Sequence, residues 1–264
     1  SNVIDCDFSI QGSGPALFLT HGIGAAKNAW RFMISELSKH FTVVTYDLRG
    51  HGNSPVTNKN FTLEDLVLDL EKIREKTNIE RAHFMGHSLG GMIAPAYAIK
   101  FPNRVLSVGL LSTVAGRSQE DKNKVLKIIN EMESTGIEHT LQNLTSRWFT
   151  DDFIKTNPDL VNNRLKQVID TDSEVFLNVF KIYANTEMIS WLKKLTTPCL
   201  LMTGENDGGC SPEHNKKMAK EIKNSKLVIL PKYKHSFLIE APGEVSKNII
   251  ESVSYTHLRA HETR

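Results

Sequence analysis

Gly86-His87-Ser88-Leu89-Gly90-Gly91 follows the short apolar run Ala82-His83-Phe84-Met85 and precedes the helical pattern Met92–Lys100. It is a G-x-S-x-G element placed where a strand must reverse into a helix within one residue. Such a turn forces strained backbone angles on its central residue, and glycines two before and two after remove the side chains that would clash. Ser88 is then exposed at the strand's C-terminal end, and the N–H of Leu89, unpaired at the start of a helix, can face developing negative charge. The plainer reading is a serine that caps an ordinary turn.

The surroundings set this element in a repeating pattern. Upstream, Val3–Ile10 reads as an edge strand, Ala16–Thr20 as a buried strand, Ala29–Lys39 as a helix and Phe41–Tyr46 as a strand. Thr62, as N-cap with Asp65 at the third position, opens a helix whose Leu63, Leu66, Leu70 and Ile73 share a face. Downstream, Val105–Leu111 is a strand. From Val114 to Trp191 strand signals vanish and helical spacing such as Val125, Ile128, Ile129 and Met132 takes over. Strands return at Cys199–Met202 and Leu227–Leu230, with a helix over about residues 213–222 between them. Alternating strands and helices imply a largely parallel sheet.

A serine hydroxyl needs a base to take its proton and a third group to orient that base. Of ten histidines, His235 lies in a loop directly after the last strand, where a side chain reaches the C-terminal edge of the sheet, whereas His214 falls inside a helix. Asp207 lies in Gly204-Glu205-Asn206-Asp207-Gly208-Gly209, the loop leaving the preceding strand, and is favoured over Glu205, which sits at the strand's exit. The plainer readings are an Asx turn for Asp207 and a solvated loop residue for His235. His21-Gly22-Ile23-Gly24 follows an early strand, and the N–H of Ile23 is assigned as a second oxyanion donor beside that of Leu89. Asp47, Arg49, His51 and Asn53 read as groups that fix their own loop, and His21, His83 and His87 as local hydrogen-bonders.

With these motifs in this order, the chain resembles the α/β-hydrolase superfamily along nearly its whole length. Phe61-Thr62-Leu63-Glu64-Asp65-Leu66, Glu80-Arg81-Ala82-His83-Phe84, Gly90-Gly91-Met92-Ile93 and Arg147-Trp148-Phe149-Thr150 are similar to 3-oxoadipate enol-lactonases and related small carboxylic-ester serine hydrolases. His87 departs from the leucine expected before the nucleophile in that subgroup. The resemblance implies a mostly parallel eight-stranded sheet flanked by helices, with a helical cap inserted after the sixth strand. The expected division is core over 1–113, cap over 114–191, core again over 192–253, and a non-native tail over 254–264, where SYTHLRAHETR resembles adapter-derived read-through. His257 and His261 are therefore given no role, and the chain's start at Ser1 without Met points to a trimmed N-terminus.

The expected activity is hydrolysis of a small carboxylic ester or lactone through an acyl-enzyme on Ser88, with His235 as base and Asp207 as its orienting acid. Trp148 and Phe149 are expected at the substrate, as against simply packing the cap. Two other readings remain: carbon–carbon hydrolysis of a vinylogous diketone by the same triad, and a ligand sensor built on the same fold. No cofactor or metal is expected, since no metal-ligand spacing occurs and Cys6, Cys199 and Cys210 are far apart without CxxC spacing. With 32 basic and 30 acidic residues and no basic run, a nucleic-acid partner is not expected. No stretch nears the ~18 apolar residues of a membrane span, and a cytoplasmic location is expected.

Overall fold

The computed structural model describes residues 3–262, with side chains to residue 254. His257 and His261 lie outside the described side chains. Strands β1 (Phe8–Gln11), β2 (Ala16–Thr20), β3 (Thr42–Tyr46), β4 (Ala82–His87), β5 (Val105–Leu111), β6 (Cys199–Gly204) and β7 (Ser225–Leu230) form one sheet in the order β1-β3-β2-β4-β5-β6-β7. Only β1 is antiparallel to its neighbour. Helices α1 (Ile34–Leu37), α2 (Leu63–Lys76), α3 (Gly90–Lys100), α4 (Gln119–Thr135), α5 (Ile137–Trp148), α6 (Asp151–Thr156), α7 (Pro158–Asp170), α8 (Ser173–Asn185), α9 (Pro212–Glu221), α10 (Phe237–Glu240) and α11 (Pro242–Glu262) complete it.

Two expectations need correction. The sheet has seven strands among the described residues rather than eight, and the long insertion follows the fifth strand rather than the sixth. The expected first strand is shorter because its early backbone takes side-chain partners instead of a ladder: Ile4 N–H donates to Asp69 Oδ1 at 3.0 Å and Asp7 N–H to Ser54 Oγ at 2.9 Å. The helix expected over 29–39 is broken into a 3₁₀ turn, Lys27–Trp30, and the four residues of α1. Lys27 N–H there is claimed by Asp47 Oδ1 at 2.7 Å, while Trp30, Met33 and Leu37 still turn inward together.

The strands are buried because their sequences are: Leu17, Phe18 and Leu19 of β2 are wholly enclosed, as a strand covered on both faces requires. Helix α2 begins where the sequence places it, with Thr62 and Asp65 forming a reciprocal capping box. Helix α8 presents two faces. Val175 and Val179 join the core cluster around α3, whereas Phe176 and Phe180 join Ile129, Met132, Leu141, Leu144 and Val168 in a separate core of the inserted helices. That i, i+4 pairing on each face lets one helix fasten the insertion to the sheet.

Chain order reverses at β2: from β3 on one side the chain crosses to β4 on the other. In open α/β sheets a crevice forms at the carboxyl ends of the strands that flank such a reversal. Gly22, after β2, and Ser88, after β4, meet there. The loop behind them is fixed by the buried ion pair of Arg49 with Asp69, bonded at 2.7 and 2.8 Å. Arg49→Met is expected to cost about 3–5 kcal/mol in urea unfolding by stranding a buried carboxylate, and Arg49→Met/Asp69→Asn should recover part of that loss.

Candidate active site

Ser88 adopts φ +58°, a left-handed conformation rare for a residue with a side chain. The local sequence makes it attainable. A methyl on Gly86 would overlap the Gly90 carbonyl, and one on Gly90 would overlap the carbonyl of Thr20, so both positions admit only glycine as the chain doubles back. The turn is anchored by Ser88 N–H to Leu111 O at 2.8 Å and Gly91 N–H to Ser88 O at 2.9 Å. Ser88 lines a cavity of about 230 Å³ between the strand ends and the inserted helices, at the small end of ligand pockets.

The same cavity is lined by Asp207 and His235. His235 Nδ1–H donates to Asp207 Oδ2 at 2.8 Å. The other oxygen, Oδ1, accepts from Cys210 N–H at 2.8 Å. Glu205 points elsewhere, accepting from Lys232 N–H. Burial alone would raise the Asp207 carboxyl, but the His235 charge and the hydrogen bonds from His235, Ser112 and Cys210 outweigh it and hold its pKa below 3.8. Burial likewise disfavours the His235 imidazolium, yet Asp207 outweighs burial and raises its pKa above 6.5.

A second serine, which sequence reasoning passed over, completes a Ser–His–Asp network. Ser112 Oγ donates to Asp207 Oδ2 at 2.6 Å and lies 3.0 Å from His235 Nδ1. It stands at the end of β5 with φ +50° and is fully buried. The signal for it was its place directly after a strand, at the sheet edge where Ser88, Asp207 and His235 also emerge. Its hydroxyl touches the Nδ1 side of the imidazole, already claimed by the carboxylate.

Neither the Ile23 N–H nor the Leu89 N–H has an acceptor among the described residues. Ile23 is on the cavity wall. Gly22 brings its loop so close that a methyl there would sit 3.1 Å from Ser88 Cβ. Two neutral histidines hold that loop from the core side. His21 donates from Nδ1 to Gly22 O at 2.7 Å and accepts Leu48 N–H at Nε2. His51 donates from Nδ1 to Arg49 O and accepts Gly24 N–H at Nε2, 3.1 Å away. A proton on either Nε2 would oppose an N–H, and burial pushes both pKa values down, His51 to about 4. Asp47 accepts from Lys27 and Asn53 N–H, so this polar cluster serves its own loop.

His87 donates from Nε2 to the His235 carbonyl at 2.9 Å, and its ring meets those of His235 and Phe237 at 5.0 and 5.4 Å. Burial first, and then the His235 charge, lower its pKa to about 3. Trp148 lines the cavity. Phe149, expected beside it, is fully buried, stacks on Phe153 at 5.7 Å and is not among the residues on the cavity wall. Ligand-type atoms of Asp207, Cys210 and His235 lie within 4.8 Å of one another, but both Asp207 oxygens and His235 Nδ1 are engaged in the bonds above, and the Cys210 thiol lies 3.1 Å from Tyr183 Oη.

A sheet of this order, a strained serine at the end of β4 and an Asp–His pair on neighbouring loops define a hydrolase of the alpha/beta class. The sequence profile of the alpha/beta hydrolase fold matches residues 15–242, and the chain belongs to that family. It is 30% identical over 203 residues to 3-oxoadipate enol-lactonase 1 of Acinetobacter baylyi, covering 75% of each chain. Its fold is that of the enol-lactonase of Burkholderia xenovorans, with TM-score 0.87 and 24% identity, covering 94% of this chain and 96% of the other. An esterase of Thermogutta terrifontis superposes equally well, with TM-score 0.87 and 24% identity over 96% and 94% of the chains. Among the described residues no helix is long and apolar enough to cross a membrane.

In ¹⁵N-resolved titrations, His21, His51 and His87 are expected to stay neutral from pH 5 to 8, with His87 protonated at Nε2, while His235 gains its proton at a pH above 6.5.

Proposed function

We propose that this protein is a serine hydrolase of small carboxylic esters or lactones, with Ser88 as nucleophile, His235 as general base and Asp207 as the acid that orients it. The observation that carries this reading is the left-handed Ser88, on the cavity wall beside the Asp207–His235 pair, next to two backbone N–H groups without acceptors. Ser88 Oγ attacks the acyl carbon as His235 takes its proton, the Ile23 and Leu89 N–H groups stabilise the oxyanion, and His235 returns the proton to the leaving oxygen. Water then cleaves the acyl-enzyme with the same base. The relatives named as enol-lactonases and an esterase support the ester or lactone class.

Ser112 also bonds Asp207 and His235, but it is buried off the cavity wall and bonded to the carboxylate, so it supports the acid instead of attacking substrate. Arg31, Arg147 and Arg164 line the cavity, where Asp207 is the one carboxylate. That balance favours substrates carrying a negative charge.

Intact-mass labelling with a fluorophosphonate separates the two serines. One adduct is expected on the wild type and on Ser112→Ala, and none on Ser88→Ala, whose turnover should fall by about 10⁶. An adduct on Ser88→Ala that disappears in Ser112→Ala would reverse the assignment. Because imidazolium cannot act as base and Asp207 raises the His235 pKa, activity should rise with pH through a midpoint above 6.5. Asp207→Asn should lower kcat by about 10⁴ and, with the largest opposition to burial removed, move that midpoint down. Esters bearing a carboxylate should be cleaved with higher kcat/KM than neutral counterparts, by a margin that shrinks as salt is added.

A further inference from the structure

Arg164 belongs to α7 of the inserted helices, yet its hydrogen bonds end on the loop after β2. Its Nη1 donates to Gly24 O at 2.7 Å and its Nη2 to Ile23 O at 2.9 Å. The peptide linking Ile23 to Gly24 is thereby held at both ends: its carbonyl by Arg164 from the cap, its N–H by His51 Nε2 from the core. The preceding peptide, which carries the Ile23 N–H, is held only at its carbonyl, where Gly22 O accepts from His21 Nδ1 and from Ala25 N–H at 3.4 Å. In a trans peptide the N–H points opposite its carbonyl, so the direction of the Ile23 N–H is set by how firmly these two units are fixed. The guanidinium lies 5.4 Å over the Trp148 ring, and no carboxylate among the described residues forms an ion pair with it. Burial, with Arg31 as a further cation, lowers its pKa to about 10, so it stays charged at neutral pH. A cation kept in this place without an acid is bonded to carbonyls instead, and the rigid planar fork of arginine holds two of them in a fixed relation that a single flexible ammonium does not impose.

We infer that Arg164 is a positioning residue through which the cap sets the oxyanion loop, holding the Ile23 and Gly24 carbonyls so that the Ile23 N–H is presented beside Ser88. The inference rests on the serine hydrolase reading of the site. Packing supports the same coupling, since a methyl on Gly24, at φ +63°, would press on the Phe176 ring at 2.7 Å and on Val168, both from the cap. The cap thus closes the site from above and also fixes half of the machinery beneath it.

The test uses Arg164→Met and Arg164→Lys in the full chain, with p-nitrophenyl acetate as a neutral ester and amide hydrogen exchange over residues 21–26. The expected result is a loss in kcat on the order of 10²-fold for Arg164→Met with KM little changed, and faster exchange at Gly24. Arg164→Lys keeps the charge but not the fork, and should stay within a few-fold of Arg164→Met; it carries the test if the methionine variant does not fold. Return of Arg164→Lys to wild-type kcat would overturn the inference by showing that charge alone suffices. Unchanged kcat on the neutral ester, with KM raised only for a carboxylate-bearing ester, would overturn it by making Arg164 a substrate anchor. A wild type inert to ester and fluorophosphonate would defeat the hydrolase reading instead, and the exchange at Gly24 would then decide the coupling by itself.

Discussion

The close approach of the start of α3 to the end of β2 is the constraint on which the rest of the site depends. Gly90 lies against the carbonyls of Thr20 and His21, where no side chain fits, and this contact brings two loops from either side of the chain reversal to one point. Given that contact, Ser88 must turn through a left-handed conformation, Leu89 must begin a helix with its N–H unpaired, and Gly22 must lie on Ser88. The strain of one such residue, of order 1–3 kcal/mol, is sustained because sheet ladders and α3 fix both flanks.

Around that point the charges are divided sharply. Three histidines, His21, His51 and His87, are held neutral by burial and by backbone partners that match a single tautomer, whereas His235 beside them faces a carboxylate. An imidazole that stays neutral beside a carbonyl has its pKa raised when Asp207 is its partner. Ser112 adds a hydroxyl to the Oδ2 that His235 bonds and the Cys210 N–H holds Oδ1, so the carboxylate is bonded on both oxygens and kept ionised in a buried place. Such a network is strong only when every member is satisfied, and Ser112, at the end of β5, joins it from a positive-φ conformation.

The inserted helices are a small domain in their packing, with a core of their own, but not in their chemistry. Helix α8 shares its two faces between that core and the sheet, and α7 sends Arg164 down to the loop after β2. A cap tied this way helps to shape the site as well as the space for substrate.

Local chain physics made much of this legible in the sequence. Glycines flanking Ser88 announce a turn that no other residue permits, apolar runs announce buried strands, and the Thr62–Asp65 capping box needs only residues three apart. Ser88, Asp207 and His235 could be singled out because loops that leave successive parallel strands must emerge at one edge. What could not be read is what depends on which distant surfaces touch. The length of β1 was decided by Asp69 and Ser54 taking its backbone N–H groups. Ser112 and Arg164 carry no local pattern at all, for their partners lie 95 and about 140 residues away and meet them only after the sheet and cap have packed. The sequence by itself determined the strand-to-helix turn and the sheet edge to which Ser88, Asp207 and His235 come, since both follow from backbone sterics and strand alternation. The tertiary structure alone decided which hydroxyl, carbonyl and guanidinium stand around them, because long-range packing chooses those partners.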